Sequence, residues 1–174
     1  MTKTLIVYHS RTGYTRRVAH ALAARLGADL DEIHIVQPMD GAIGYALCAI
    51  EAMTGLAPAL RPMRKDLGDY DLVVVGTPVW FWSLSSPVRS WLERFGRRGK
   101  RFAFFCTMGG SGASRVFEAM RTLTGREPVA TLAITDAEVE SSARAKFDAF
   151  VEEIRTGARR RPRSRTAPVR VAPA

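Results

Sequence analysis

The sequence predicts an α/β fold, a three-layer sandwich in which a five-stranded parallel sheet lies between helices. Three observations predict it. Five short, mostly apolar segments alternate with segments of helical period. The run Leu72-Val73-Val74-Val75 has no polar break, as expected of a strand covered on both faces. The chain has 174 residues, 47% of them hydrophobic, which suits one domain with a sizeable core.

Thr4 to Tyr8 is a brief apolar and β-branched run, too short for a helix, and is predicted as a buried first strand. Val18, Ala19, Ala21, Leu22 and Leu26 then recur at helical spacing, with Thr15 in the N-cap region and Gly27 as the stop. Leu30 to Val36 alternates apolar and polar residues and suits a more exposed second strand. Gly41 to Leu56, between Pro38 and Pro58, is predicted as an apolar helix. Leu72 to Val75 is the third strand, followed by a loop rich in Pro and Trp and a helix from Pro87 to Phe95. Phe102 to Cys106 is a fourth strand, Ala113 to Leu123 a helix, and Val129 to Ile134 a fifth strand. A single amphipathic helix is predicted over Ala137 to Ile154, with Val139, Ala143, Phe147, Phe150, Val151 and Ile154 on its apolar face.

The net charge of +9 is unevenly placed. Six arginines, Arg159, Arg160, Arg161, Arg163, Arg165 and Arg170, lie in residues 157–174 with no acid, leaving +3 for residues 1–156. The expected organisation is therefore one domain over 1–156 and a basic, Arg- and Pro-rich, disordered tail over 157–174. Cys48 and Cys106 form no C-x-x-C pair, which argues against a disulfide framework or a zinc site. The apolar stretch Leu5 to Tyr8 is too short for a signal peptide, so the expected location is cytoplasmic. Ala42 to Leu60 contains Glu51, Gly44, Gly55 and Pro58, and a membrane span is not expected there.

In an open parallel sheet, ligands bind beyond the carboxyl ends of the strands, and three such loops here are chemically unusual. His9 to Thr15 carries three Ser and Thr hydroxyls and a glycine at a helix start, where free N–H groups and the dipole suit a phosphate. An ordinary capped turn uses the same residues, and neither the nucleoside triphosphatase nor the dinucleotide glycine pattern is present. Gly76 to Pro87 carries Trp80, Phe81 and Trp82, whose faces can stack on a conjugated ring or pack on the core or a subunit contact. Thr107 to Gly112 has three glycines, which allow backbone to approach a ligand or simply form a flexible connection.

Ser10-x-Thr12-Gly13-x-Thr15 resembles the phosphate loop of the flavodoxin-like superfamily. Gly76-Thr77-Pro78-Val79-Trp80-Phe81-Trp82 and Thr107-Met108-Gly109-Gly110-Ser111-Gly112 resemble its two further flavin-contacting loops, in the same order after the same strands. The resemblance covers Thr4 to Ile154 and implies a sheet of order 2-1-3-4-5 holding FMN non-covalently. It implies that Ser10, Thr12, Gly13, Tyr14 and Thr15 hold the phosphate through hydroxyl and backbone N–H donors, with Tyr14 standing where asparagine is common. Thr77, Pro78, Val79, Trp80 and Phe81 would line the flavin ring, and backbone groups of Thr107, Gly109 and Gly110 its pyrimidine side or ribityl chain. No catalytic side chain and no metal ligand is expected.

Two rejections follow from the residues present. Cys106 is a core residue, because Gly112 stands where a cysteine phosphatase needs arginine. A phosphoacceptor receiver needs acids after the first strand, where Tyr8-His9-Ser10 stand. Electron-carrier flavodoxins are strongly acidic, whereas residues 1–156 are slightly basic, a surround that favours anionic reduced flavin and attracts NAD(P)H phosphates. The expected activity is thus an NAD(P)H-dependent oxidoreductase acting on a quinone, a flavin or another small acceptor. A non-enzymatic carrier paired with a redox protein is one alternative. An interaction protein with a vestigial flavin site and an anion-binding tail, lacking a specific nucleic-acid site, is the other. The helix Gly41 to Leu56 is a core element or a homodimer face, and His9 a strand-end residue or a proton relay.

Overall fold

The computed structural model describes residues 2–36, 58–141 and 143–157. The predicted helix Gly41 to Leu56, with Cys48, and the tail beyond Gly157 lie outside the described residues.

The chain opens with β1 (Thr4–Tyr8), α1 (Tyr14–Leu26) and β2 (Asp29–Glu32). After a 3₁₀ turn (Leu67–Asp69) come β3 (Leu72–Trp80), a short β4 (Ser83–Leu84) and α2 (Ser86–Phe95). A second 3₁₀ turn (Gly96–Arg98) leads to β5 (Phe102–Met108), α3 (Ala113–Thr124), β6 (Thr131–Thr135), α4 (Asp136–Ser141) and α5 (Arg144–Gly157). The sheet order is β2-β1-β3-β5-β6, every neighbouring pair parallel, with β4 antiparallel on the end of β3. The five parallel strands thus follow the expected 2-1-3-4-5 order, and the sixth is the small addition β4.

The pleat sends alternate side chains to opposite faces, so each strand feeds two cores. Ile6, Tyr8, Leu72, Val74, Phe105 and Ile134 pack beneath α1 and α5, against Val18, Leu22, Phe147, Phe150 and Ile154. Leu5, Val7, Val73, Val75, Phe104 and Cys106 pack on the other face against Val88, Trp91 and Leu92 of α2 and Val116 and Met120 of α3. Burying each such side chain contributes about 1.5–3 kcal/mol. Cys106 is fully buried and its thiol is pushed up to about 12 by that burial, as befits a core residue.

Helix α1 stops where Gly27 enters the left-handed region at φ 61°, its N–H and that of Ala28 both donating to the Ala23 carbonyl. Thr15, expected in the N-cap region, lies inside the first turn; Gly13 occupies the cap position. The second strand is shorter than Leu30 to Val36, ending at Glu32, with Ile35 making an isolated bridge to Leu60.

Two predicted elements are corrected. The Pro- and Trp-rich loop after Val75 is largely strand, because β3 continues to Trp80. Val73 N–H donates to the carbonyl of Arg101, just before β5, so by alternation Pro78 faces the β1 side. There β1 stops pairing at Tyr8 opposite Gly76, and the N–H that proline lacks has no ladder to serve. The single helix over Ala137 to Ile154 is two. In α4 no residue is buried, whereas α5 buries Phe147, Phe150, Val151 and Ile154.

Candidate functional site

Three loops meet at the carboxyl edge of the sheet, where sheet topology places binding sites. The first spans His9 to Gly13. Gly13 at φ 96° turns the chain into α1, and the intrahelical ladder begins with Arg17 N–H donating to Gly13 at 2.9 Å. The earlier N–H groups of the helix have no intrahelical acceptor, and the Arg16 N–H is taken by Ser10 Oγ at 3.2 Å. Tyr14 and Thr15 N–H remain at the positive end of the dipole, the arrangement that takes a phosphate. Thr12 is exposed and Ser10 buried.

The second is the β3–β4 hairpin. Trp80 pairs with Ser83, so Phe81 and Trp82 form a two-residue turn, with φ 49° and 57°. Such turns require left-handed residues and ordinarily use Asn-Gly; a side chain there costs roughly 1–2 kcal/mol per residue. Phe81 and Trp82 are nevertheless 45% and 61% exposed. Strain combined with exposed aromatic surface marks a binding element. The third loop is Gly109 to Gly112, where Gly109 and Gly110 are exposed and a Cβ on either would meet nothing within 4 Å.

Side chains tie these loops together in pairs. Thr15 Oγ1 and Thr107 Oγ1 share a buried hydrogen bond of 2.8 Å, joining the first loop to the third. Either may be the donor, and one hydroxyl proton of the pair is left for another acceptor. Trp82 Nε1 donates to Ser111 Oγ at 2.9 Å, joining the second to the third. His9 meets Trp80 edge-on at 5.6 Å between centroids, and its backbone N–H donates to the Gly76 carbonyl at 3.2 Å, joining the first to the second.

Of the residues expected at the site, Ser10, Thr12, Gly13, Trp80, Phe81, Thr107, Gly109 and Gly110 lie on these three loops or their strand ends, and Thr15 in the first turn of α1. Others turn away. The buried Thr77 hydroxyl donates to the Pro78 carbonyl and is 2.9 Å from Ser85 Oγ, so it faces the protein. Val79 packs against the α2–α3 core, with Pro78 half-buried beside it. Tyr14 donates its hydroxyl to Glu140 of α4 at 2.6 Å, so only its backbone N–H is left at the helix start. Arg16 is held by both Glu32 oxygens, at 2.7 and 3.2 Å, and its charge is spent on β2. Trp82 is expected only as an aromatic face and Ser111 not as a contact residue; consecutive aromatics that form the two-residue turn are the signal for the first, and the Gly-Gly-Ser-Gly run for the second.

His9 Nδ1 lies 3.0 Å from the Ile33 carbonyl, and burial lowers its pKa from the ordinary 6.5. A histidine held neutral when folded but free to protonate when unfolded removes stability as pH falls below that value. Denaturation at about pH 7.5 and about pH 5 is expected to show a larger loss for the wild type than for His9→Gln. Equal losses would remove His9 as the source.

Comparison with known proteins is consistent with this arrangement. The family model described as flavodoxin matches residues 3–154. A protein of Nitrobacter winogradskyi named NAD(P)H dehydrogenase (quinone) is 31% identical over 117 residues, 66% of this chain and 57% of that protein. The chain thus spans less than two thirds of that relative's length. Among solved structures, a candidate flavoprotein from Bacteroides eggerthii superposes with a TM-score of 0.72 at 24% identity, covering 91% of this chain and 99% of that one. A flavoprotein from Lactobacillus acidophilus, solved in complex with FMN, gives 0.67 at 21% identity over 81% and 98%. Among the described residues no group of His, Cys, Asp and Glu could hold a metal, and no helix is long and apolar enough to cross a membrane.

Proposed function

The chain belongs to the flavodoxin family, and from that premise we propose that it binds FMN across the three loops and works as an NAD(P)H-dependent oxidoreductase of a quinone, a flavin or another small acceptor. The observation that carries the proposal is the pairwise tying of the loops. Three segments far apart in sequence present a free helix start, exposed aromatics on a strained hairpin and open glycine backbone side by side. A phosphate, a conjugated ring and a polar ring edge need those three surfaces together.

The residues fit the cofactor group by group. Backbone N–H groups of Tyr14 and Thr15, with the Thr12 hydroxyl, would hold the phosphate. Trp80, Phe81 and Trp82 supply flat faces that stack and exclude water on one side of the ring. Thr107, Gly109 and Gly110 offer backbone donors and acceptors with no side chain in the way at the two glycines. When bound, the flavin supplies the two-electron redox chemistry that links a nicotinamide donor to a small acceptor. No side chain here needs to move a proton for binding, and Cys106 is buried away from reaction.

The dehydrogenase relative and the +3 charge of residues 1–156 favour the enzyme over a protein-docking carrier. The test is the visible spectrum of the purified chain after FMN is added and the excess removed, followed by NADH or NADPH under anaerobic conditions. Retained flavin that bleaches rapidly is the expected result. Retained flavin that stays oxidised until dithionite is added overturns the reductase in favour of the carrier, and no retained flavin overturns both.

A further inference from the structure

The opposite end of the molecule holds a cavity of about 330 Å³, at the amino ends of β1 and β3 and the carboxyl ends of α1 and α5. Its floor is apolar: Leu72 and Ile154 are buried in the core and Leu26 is packed against it. Its polar lining is cationic. Arg101, immediately before β5, and Arg155 of α5 both contribute, together with Thr4, and among the described residues no acidic one lines it.

One atom there is unexplained. Arg101 Nη2 is fully enclosed and has no hydrogen-bond partner among the described residues, the sole buried side-chain nitrogen or oxygen among them in that state. Leaving a charged donor buried without an acceptor is costly, and a turn of the guanidinium toward the cavity that Arg101 lines would bring that donor to a bound anion. Arg155 is held at the rim by donating Nη2 to the Arg25 carbonyl at 3.3 Å. The carboxyl ends of α1 and α5 each bring about half a negative charge, which two full guanidinium charges outweigh. At α1 that end is also capped by Gly27 and Ala28.

We propose that this cavity binds a small carboxylate with an apolar body, its head on Arg101 and Arg155 and its body on Leu26, Leu72 and Ile154. The planar fork of a guanidinium matches a carboxylate bidentately, and the volume lies within the range of small-molecule sites. The site is separate from the redox site and does not rest on flavin binding.

Octanoate titrated into the full chain, with FMN present to fill the other end, tests it by backbone amide shifts. Saturable shifts at Thr4, Gly27 and Ile154 are expected, with acetate, which lacks the body, and octanol, which lacks the charge, each about tenfold weaker or more. Arg101→Lys keeps the charge and the aliphatic stem while losing the fork, and is expected to weaken octanoate about tenfold with an unchanged fold. Absence of saturable shifts at those amides overturns the proposal. Equal binding of octanol, displacement by inorganic phosphate at matching concentration, or undiminished binding by Arg101→Lys does the same.

Discussion

Gly112→Ala is expected to weaken FMN retention about tenfold, equivalent to about 1.4 kcal/mol. Two costs meet at this residue. Gly112 caps α3 at φ 108°, a conformation that disfavours any side chain by roughly 1–2 kcal/mol. A Cβ there would also stand 2.9 Å from Val79 Cγ1 and 3.1 Å from Trp82 Cα. The second contact is backbone and cannot rotate away, so the hairpin carrying Phe81 and Trp82 must shift, stretching the Trp82–Ser111 bond. In the ligand-free protein that shift relieves the strain; binding FMN restores it and loses affinity by the same amount. Titration of FMN followed by flavin fluorescence checks this, and Gly68→Ala, outside the three loops and with its Cβ at an ordinary 3.5 Å from Asp66 Oδ1, is the control expected to bind normally. Equal affinities for the two variants would show that hairpin and third loop are not coupled.

Gly76→Ala should lower stability by about 1–3 kcal/mol or more through overpacking. Its Cβ would fall 2.0 Å from Phe105 Cζ, overlapping the ring edge, with Cε1 and Cε2 at 2.4 and 2.7 Å. Phe105 is fully buried between β3 and β6 under α1 and α5, so the ring has no free volume to enter. Each kcal/mol corresponds to roughly 2–4 °C in the melting temperature for a chain of this size. Adding Phe105→Leu is expected to recover part of the loss, since the smaller side chain vacates the overlapped space. A strictly additive double variant would place the damage elsewhere. Because Gly76 also accepts the backbone N–H of His9, the damage would reach the first loop as well.

The particular residues show why some features were readable and others not. Gly27 announced the end of α1 because a left-handed cap is a local requirement, satisfied within one turn. The uniform aliphatic run at Leu72 announced a central strand because covering both faces imposes a one-dimensional pattern. Pro78 misled, since proline in a strand is acceptable only where a neighbouring strand has ended, and the end of β1 opposite Gly76 is information from elsewhere in the chain. The continuous apolar stripe from Val139 to Ile154 likewise concealed a break. Val139 only skirts the core, while α4 is held by polar contacts: Glu138 accepts from Thr135 and Lys146, and Glu140 from Tyr14.

By itself the sequence determined the layer architecture, the parallel strands and the three loops at one edge of the sheet, because periodicity, glycine stops and helix-start chemistry are all local properties. Tertiary structure alone decided which groups in those loops face a ligand. The Thr77 hydroxyl is spent on Ser85, Arg16 on Glu32 and the Tyr14 ring on Glu140, while Trp82 is drawn in by Ser111. Each of these choices is a competition for hydrogen-bond partners between residues 8 to 126 positions apart, and no local pattern records its outcome.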